Sequence, residues 1–474
     1  MNPEAVQLDF LISAIHQGFC ISTGDVLTWI KQQNDEVISN IHQISLEEMR
    51  GWSYSDDRIR HLSGKFFSID GIRIVTNYRK VPTWDQPIIN QPEIGFLGFL
   101  AKKINGVLHF LTQAKIEPGN LNIVQLSPTL QATRSNFTRV HGGALPNYLE
   151  YFIGKKKVTV LIDQLQSEQG ARFLHKRNRN IIVEVDENEE IERKDNFIWL
   201  TLGQLKELMQ HPNVMNMDSR TVISCIRFGN YSEHSLKMMS AFMQLNTKSD
   251  EQLIYSMLSR DNHYHELEYI IQWMTSLKFK YELDVKQIGI SKMNHWIYDG
   301  NTIHHENNNY FDVIGVRCEI GNREVVSWDQ PMVRSAQKGL MGFLVKKING
   351  IYHFLVQAKL ESGNFDIVEM APTVQCLTGN YRKGYNEYTI PYLEYFINAP
   401  KEKIWNATYQ SEEGGRFFQE QNLNMIVELD ETFPIEVDEN YCWMTLNQML
   451  SFVTYNNYLN IAARSLLSAI RFVK

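Results

Sequence analysis

Cysteine is scarce in this chain and badly placed for cross-linking. The five cysteines, Cys20, Cys225, Cys318, Cys376 and Cys442, form no close-spaced pair, which argues against a structural zinc site or a disulfide framework and for a reducing compartment. Also absent is any apolar run long enough to span a bilayer. Glu4 and Asp9 interrupt the stretch where a secretory leader would carry its apolar core. A cytoplasmic chain without a membrane partner is expected. There is no excess of positive charge either. The formal net charge is −7 and the only basic run is Lys155-Lys156-Lys157, so no nucleic-acid partner is expected. No GxGxxG follows a strand, and no GxxxxGK[ST], HExxH or GxSxG occurs; neither a nicotinamide-dependent oxidoreductase nor a kinase is supported. His304-His305-Glu306 is the nearest approach to a metal cluster, and its spacing is poor for shared ligation.

What is present is a duplication. Trp84-Asp85-Gln86-Pro87 recurs as Trp328-Asp329-Gln330-Pro331, at an offset of 244 residues. The same offset carries Lys102–Gly106 onto Lys346–Gly350, Gln113-Ala114-Lys115 onto Gln357-Ala358-Lys359, and Leu149–Ile153 onto Leu393–Ile397. Trp29 maps on Trp273, Trp52 on Trp296, and Ile226-Arg227-Phe228 on Ile470-Arg471-Phe472. A period this long is not that of a solenoid, and each copy is long enough to bury its own core. The expected organisation is a first repeat over 1–230, a connecting helix over 231–244 and a second repeat over 245–474.

Local patterns can be read twice. Two apolar-rich runs, 94–104 and 107–115, are joined by Asn105-Gly106, and the second copy keeps Asn349-Gly350. Asn-Gly between such runs predicts a hairpin, because both residues tolerate a positive φ. Ile181–Val185 and Met425–Leu429 predict strands, 147–153 a short helix. Thr201-x-x-Gln204 and Thr445-x-x-Gln448 carry the capping-box pattern. Strands and helices mix without regular βαβ alternation, so the class is α+β, or a small layered αβα domain, twice over.

The candidate chemistry lies between the hairpin and the helix at 147. The stretch Ala114-Lys115-Ile116-Glu117-Pro118-Gly119-Asn120 leads on to Gln125–Gly143, which contains Thr133, Arg134, Ser135, Asn136, Phe137 and His141. Hydroxyl, amide, guanidinium and imidazole groups suit a polyhydroxylated anionic ligand. The second copy keeps Lys359, Glu361, Gly363, Asn364 and Asn380. It replaces Thr133 by Leu377, Ser135 by Gly379 and His141 by Tyr385, so the first copy has the richer proton-transfer inventory. A second repeated stretch, Ser167-Glu168-Gln169-Gly170-Ala171-Arg172-Phe173, returns as Ser411-Glu412-Glu413-Gly414-Gly415-Arg416-Phe417. Its serine, glycine and arginine suit either a diphosphate or a capped helix with an ion-paired arginine. Trp52 and Trp296 suit core packing or stacking on a base, and core packing is the better account of Trp84 and Trp328. His141, beside two glycines, is either a catalytic group or a loop histidine.

The run Ala114-Lys115-x-Glu117-Pro118-Gly119-Asn120, continued by Gln125-Leu126-Ser127-Pro128-Thr129-x-Gln131-Ala132-Thr133-x-Ser135-Asn136-Phe137-Thr138-x-Val140-His141, strongly resembles the NDP-hexose 2,3-dehydratases. His61-x-Ser63-Gly64-x-Phe66-Phe67, Trp84-x-Gln86-Pro87 and the tandem duplication resemble the same family. The resemblance implies a tandem duplication of a Nudix-like layered αβα domain and a homodimer. It implies a dTDP-4-keto-6-deoxyhexose as substrate, water lost from C2 and C3, no cofactor, and a 3-ketoreductase to consume the unstable product. No Nudix box is present, which argues against diphosphate hydrolysis. His141 is expected to transfer a proton, with Lys115 or Thr133 and Ser135 supporting the enolate or the leaving hydroxyl, and Glu117 as the competing base. Substrate binding is expected from Trp52, Thr133, Arg134, Ser135, Asn136, Phe137, Ser167 and Arg172. In the second copy the expected binding set is Trp296, Gly379, Asn380, Tyr381, Ser411, Glu412, Glu413 and Gly414. A Nudix-type nucleotide-sugar hydrolase and a non-catalytic nucleotide-sugar binding protein are the competing readings.

Overall fold

A computed structural model describes residues 3–78, 81–133, 145–247, 250–321, 327–377 and 390–472. The chain is mixed α/β and is built from two repeated halves. The hairpin read from Asn-Gly is present in both: Phe96–Ile104 pairs with Val107–Ile116, and Gly339–Ile348 with Ile351–Lys359. Asn105 and Gly106 hold φ of 51° and 77°, and Asn349 and Gly350 hold 52° and 80°, the left-handed turn those residues were expected to supply. Both capping boxes also form, Thr201 with Gln204 and Thr445 with Gln448.

Each hairpin is the centre of a seven-stranded sheet. In the first half the order is Thr159–Ser167, Arg177–Glu184, Phe96–Ile104, Val107–Ile116, Phe197–Thr201, with Val124–Ser127 and Leu130–Ala132 paired alongside. Arg177–Glu184 runs parallel to Phe96–Ile104, and the other pairings are antiparallel. Alternation along the strands divides the apolar residues between two faces. Leu100, Leu111, Ile181 and Val183 pack beneath Tyr148, Leu149 and Phe152 of the short helix. Leu97, Phe99, Leu108 and Phe110 face the opposite way, into a much larger cluster.

That larger cluster draws on both copies. It contains Phe99 and Phe110 from the first copy and Phe343, Tyr352 and Phe354 from the second. The copies therefore share this core, and each also buries an apolar cluster of its own, around Leu100, Leu111 and Phe152 in the first and around Leu344, Leu355 and Phe396 in the second. Equivalent residues meet across the join: Phe173 lies 5.9 Å from Phe417 and Phe228 lies 5.7 Å from Phe472, all four buried. Contact between a residue and its own counterpart marks an approximate two-fold axis, as in an isologous dimer. Here the dimer is covalently joined, with the helix Glu233–Thr247 in the linking region.

The halves also exchange strands. Ser39–Ile44, from the first copy, pairs antiparallel with Phe311–Ile320 of the second. Leu283–Ile288, its counterpart, pairs with Ser68–Thr76 of the first. Each five-stranded sheet is thus completed by the other repeat. The Trp-Asp-Gln-Pro motif secures this exchange. Trp52 Nε1 donates to the Asp329 carbonyl at 2.7 Å, and Trp296 Nε1 to the Asp85 carbonyl at 2.7 Å. Within the motif, Trp84 Nε1 donates to Gln86 Oε1 and Trp328 Nε1 to Gln330 Oε1.

Two buried arginines complete the join. Arg220 donates to Gln410 Oε1 at 2.9 Å and to the Ser411 carbonyl. Arg464 donates to Gln166 Oε1 at 3.0 Å and to the Ser167 carbonyl. Among the described residues no helix is long and apolar enough to cross a membrane.

Because each small sheet lacks a strand without its neighbour, residues 1–230 expressed alone are expected to self-associate or to remain partly unfolded. Size-exclusion chromatography with denaturant titration checks this, and a monomer with one cooperative transition is the contrary result.

Candidate active site

A cavity of about 590 Å³ has walls from both halves. The first repeat contributes Trp52, His61, Phe66, Phe67, Lys115, Glu117, Gln131, Thr133, Glu168, Lys176 and Asp218. The second contributes Ser327 to Gln330, Glu413, Gly415 and Arg416. The apolar side is an aromatic nest. Trp52 meets His61 edge-on at 5.3 Å and Phe67 at 4.9 Å, and His61 meets Phe66 at 4.8 Å. The Arg416 guanidinium crosses from the second repeat and lies 4.1 Å from the Phe67 ring centre. This accounts for the His-x-Ser-Gly-x-Phe-Phe stretch: His61 Nδ1 is 2.7 Å from Ser63 Oγ, which fixes the ring against Trp52.

The polar side is set by a backbone lock between loops. Gly119 N–H donates to the Gly414 carbonyl at 2.7 Å, and Gln419 N–H donates to the Gly119 carbonyl at 2.9 Å. The mirror lock joins Gly363 N–H to the Gly170 carbonyl at 2.6 Å and His175 N–H to the Gly363 carbonyl at 2.8 Å. The approach is so close that a Cβ on Gly119 would lie 1.7 Å from the Phe417 carbonyl oxygen. The repeated Gly-Asn and Ser-Glu-x-Gly-x-Arg-Phe stretches are therefore interlocking surfaces, and the lock brings Glu413 of one repeat beside Glu117 of the other. Glu413 Oε1 and Glu117 Oε1 lie 2.6 and 3.6 Å from where a Gly415 Cβ would stand.

Glu117 is oriented by a relay of amides. Gln131 Nε2 donates to its Oε1 at 2.8 Å, and Asn216 Nδ2 donates to Gln131 Oε1 at 3.2 Å. Asn216 also caps the helix Met217–Ser224, whose first turn carries Asp218. Glu117 Oε2 is buried without a hydrogen-bond partner. Lys115 Nζ is 3.4 Å from the Gln131 carbonyl.

Several carboxyls in this space are held away from their ordinary ionisation. Burial raises Glu413 to about 7, with Arg416 opposing and Glu117 and Glu168 adding to the rise. Burial raises Asp218 well above the usual carboxylate range, reinforced by the charges of Glu413, Glu117 and Glu168 and opposed by Lys115. Glu168 is raised by burial against the pull of Arg464 and Lys176. Burial lowers Lys176 to about 8, with Glu168 opposing. Groups so displaced and facing one cavity are the equipment of proton transfer near neutral pH.

Five of the residues singled out in the sequence meet here: Trp52, Lys115, Glu117, Thr133 and Glu413. Others lie in the seam between the halves. Ser167 Oγ donates to Glu369 at 2.9 Å and Ser411 Oγ to Gln125 at 2.8 Å. Arg172 is half-buried, 4.0 Å from the Phe311 ring centre, and the Glu412 carboxylate accepts from Gln169 and Asn422. The Gly414 carbonyl belongs to the lock. Trp296 occupies the counterpart of the Trp52 position, 4.9 Å from Phe311. Arg134, Ser135, Asn136, Phe137, His141, Gly379, Asn380 and Tyr381 lie outside the described residues. Glu168 and Arg416 were noted only as members of the repeated Ser-Glu-x-Gly-x-Arg-Phe stretch, and sequence reasoning missed Asp218 and Lys176. The available signal was mismatch inside well-repeated frames, since Asp218 faces Ala462 and Lys176 faces Glu420 at the 244-residue offset.

An acid–base cavity with walls from two fused copies of one mixed α/β unit is the candidate active site of a duplicated protein. The sequence model of the NDP-hexose 2,3-dehydratases matches residues 23–226 and again 267–470, and the chain belongs to that family. It is 39% identical over 452 residues to a dTDP-4-dehydro-6-deoxy-α-D-glucopyranose 2,3-dehydratase of Saccharopolyspora spinosa, covering 95% of this chain and 91% of the relative. Proteins with the same description from Amycolatopsis orientalis and Streptomyces violaceoruber are each 38% identical, over 97% and 94% of this chain and 92% and 96% of theirs.

The lock predicts an unequal response to two glycine substitutions. Gly119→Ala must separate two backbone hydrogen bonds, a destabilisation of about 2–5 kcal/mol. Gly106→Ala has a positive φ but open space around it and is expected to cost about 1 kcal/mol. Thermal denaturation of the two variants checks the difference.

Proposed function

We propose that this chain is a 2,3-dehydratase of a dTDP-4-keto-6-deoxyhexose, eliminating water to give a 3,4-diketo-2,6-dideoxyhexose for deoxysugar biosynthesis. The observation that carries the reading is one cavity that gathers Lys115, Glu117 and Thr133 of the family-like run with Trp52 and the carboxyls of Glu168, Asp218 and Glu413. In such a sugar the C3 proton is α to the ketone and therefore acidic. The C2 hydroxyl is β to it. Removal of the C3 proton gives an enolate, and expulsion of the C2 hydroxyl as water leaves a C2–C3 enol, which takes a proton at C2 and becomes the diketone. The substrate's own ketone accepts the electron pair throughout. The protein must supply a base, an acid and a donor to the enolate oxygen.

Glu117 is the base this reading favours, because one of its oxygens is held by Gln131 and the other is unengaged. Lys115 is assigned to the C4 oxygen. The aromatic nest around Trp52 receives the apolar face of the sugar. The binding set continues from Thr133 into Arg134, Ser135, Asn136 and Phe137, and His141 is the competing proton-transfer residue. The proposal extends to a Nudix-like fold for each half, on the support of a mixed sheet packed on both faces. It includes the division at 1–230, 231–244 and 245–474, a homodimer, a cytoplasmic location, and a 3-ketoreductase that consumes the product.

Incubation with dTDP-4-keto-6-deoxyglucose in deuterium oxide tests the reading. Loss of the C2 hydroxyl with solvent deuterium at C2 is expected. Release of sugar phosphate would favour a hydrolase, and unchanged ligand at high occupancy a binding protein. Glu117→Gln is expected to lower kcat by about 10²–10⁴-fold with the Kd for dTDP retained. Full turnover in Glu117→Gln together with loss in His141→Asn would transfer the base to His141.

A further inference from the structure

The two repeats differ at positions that look unrelated along the chain but converge in space. Repeat one has Asp218 where repeat two has Ala462. Repeat two has Glu413 where repeat one has Gln169. Because the cavity is shared, both acidic members of these pairs face the same space, and the pseudo-symmetric position receives the alanine and the glutamine. The supporting frame, by contrast, is duplicated. Asn216, Gln131 and Glu117 are linked side chain to side chain, and Asn460, Gln375 and Glu361 repeat the relay at 2.8 and 3.0 Å. The amide relay that orients a base is thus present twice, while the acid on the adjoining helix is present once.

We propose that Asp218 is the acid that gives its proton to the departing C2 hydroxyl, and that Glu413 of the second repeat keeps that proton in place. This rests on the dehydratase reading above and on Glu117 as the base. Glu117 takes the proton from C3. The C2–O bond then breaks with its electron pair, Asp218 delivers a proton to that oxygen, and water leaves. Asp218 ends as a carboxylate and Glu117 as an acid, so no charge is created overall. Elimination needs one carboxyl ionised and another protonated at the same time, and mutually repelling buried carboxyls provide that mixed state.

The groups whose charges act on Asp218 are Glu413, Glu117, Glu168 and Lys115, with Arg220 on its own helix and Arg416 from the second repeat. Burial, reinforced by the charges of the three acidic neighbours, raises its affinity for the proton. Removing the charge at position 413 lowers its affinity for the proton, so the acid form is lost at a lower pH. Glu413 is therefore a positioning residue and Asp218 a catalytic one.

The two steps are separable in deuterium oxide. Asp218→Asn is expected to lose about 10²–10⁴-fold in elimination while still exchanging the C3 proton of the substrate for deuterium. Glu117→Gln loses both. Glu413→Gln is expected to keep elimination but to shift its alkaline limb to lower pH; this second variant carries the test if Asp218→Asn does not accumulate folded. Elimination by Asp218→Asn indistinguishable from the parent's, or C3 exchange lost together with elimination, would overturn the assignment of Asp218. An unmoved alkaline limb in Glu413→Gln would overturn that of Glu413. If the parent performs neither exchange nor elimination, it is the dehydratase reading that fails.

Discussion

The architecture depends on a backbone lock in which the Gly119 loop of one repeat and the Gly414 loop of the other exchange hydrogen bonds, with a mirror copy at Gly363 and Gly170. Backbone groups buried between two loops have no water to turn to, so the pairing is obligatory once the loops meet. No side chain can stand between them, which is why glycine occupies Gly119, Gly170, Gly363 and Gly414. The exchanged strands, the Trp52 and Trp296 bonds to partner carbonyls and the Arg220 and Arg464 clasps all brace the same junction. The lock is also what makes the cavity composite. A carboxylate one residue before the interlocked Gly414 and another two residues before Gly119 are carried into one space.

Concentrating Glu117, Glu168, Asp218 and Glu413 near Lys115, Lys176 and Arg416 is costly for a folded chain, because buried charges lose their hydration. The structure meets part of that cost through the amide relay and the stacking of Arg416 on Phe67, and burial shifts Asp218 and Glu413 toward their neutral forms. A site built this way is destabilised in order to be chemically poised. The duplicated frame opposite it keeps the amides and drops Asp218 and Glu413, in keeping with unequal roles for two halves of like fold.

Much of the local structure was legible in the chain. Asn105-Gly106 and Asn349-Gly350 require the left-handed turn they form, and Thr201 and Thr445 cap their helices through local hydrogen bonds. Lys115, Glu117 and Thr133 could be singled out because the polar stretch between apolar strands has few structural uses. Asp218 could not be singled out the same way, since one aspartate in the first turn of a helix reads as an ordinary dipole partner. Ser167 and Arg172 suggested a phosphate cradle by type, yet their side chains sit in the seam, where Glu369 and Phe311 meet them.

By itself the sequence determined the duplication, the hairpins and caps, the reactive groups available and the family. These follow from short-range geometry and from a fixed offset. The tertiary structure alone decided that the copies share a core, exchange strands and build one site between them. Comparing the repeats along the chain sets Glu117 against Glu361 and Gln169 against Glu413. In the folded molecule Glu117 lies beside Glu413, because contacts between distant segments depend on how the sheets and loops interlock, and no local pattern encodes that.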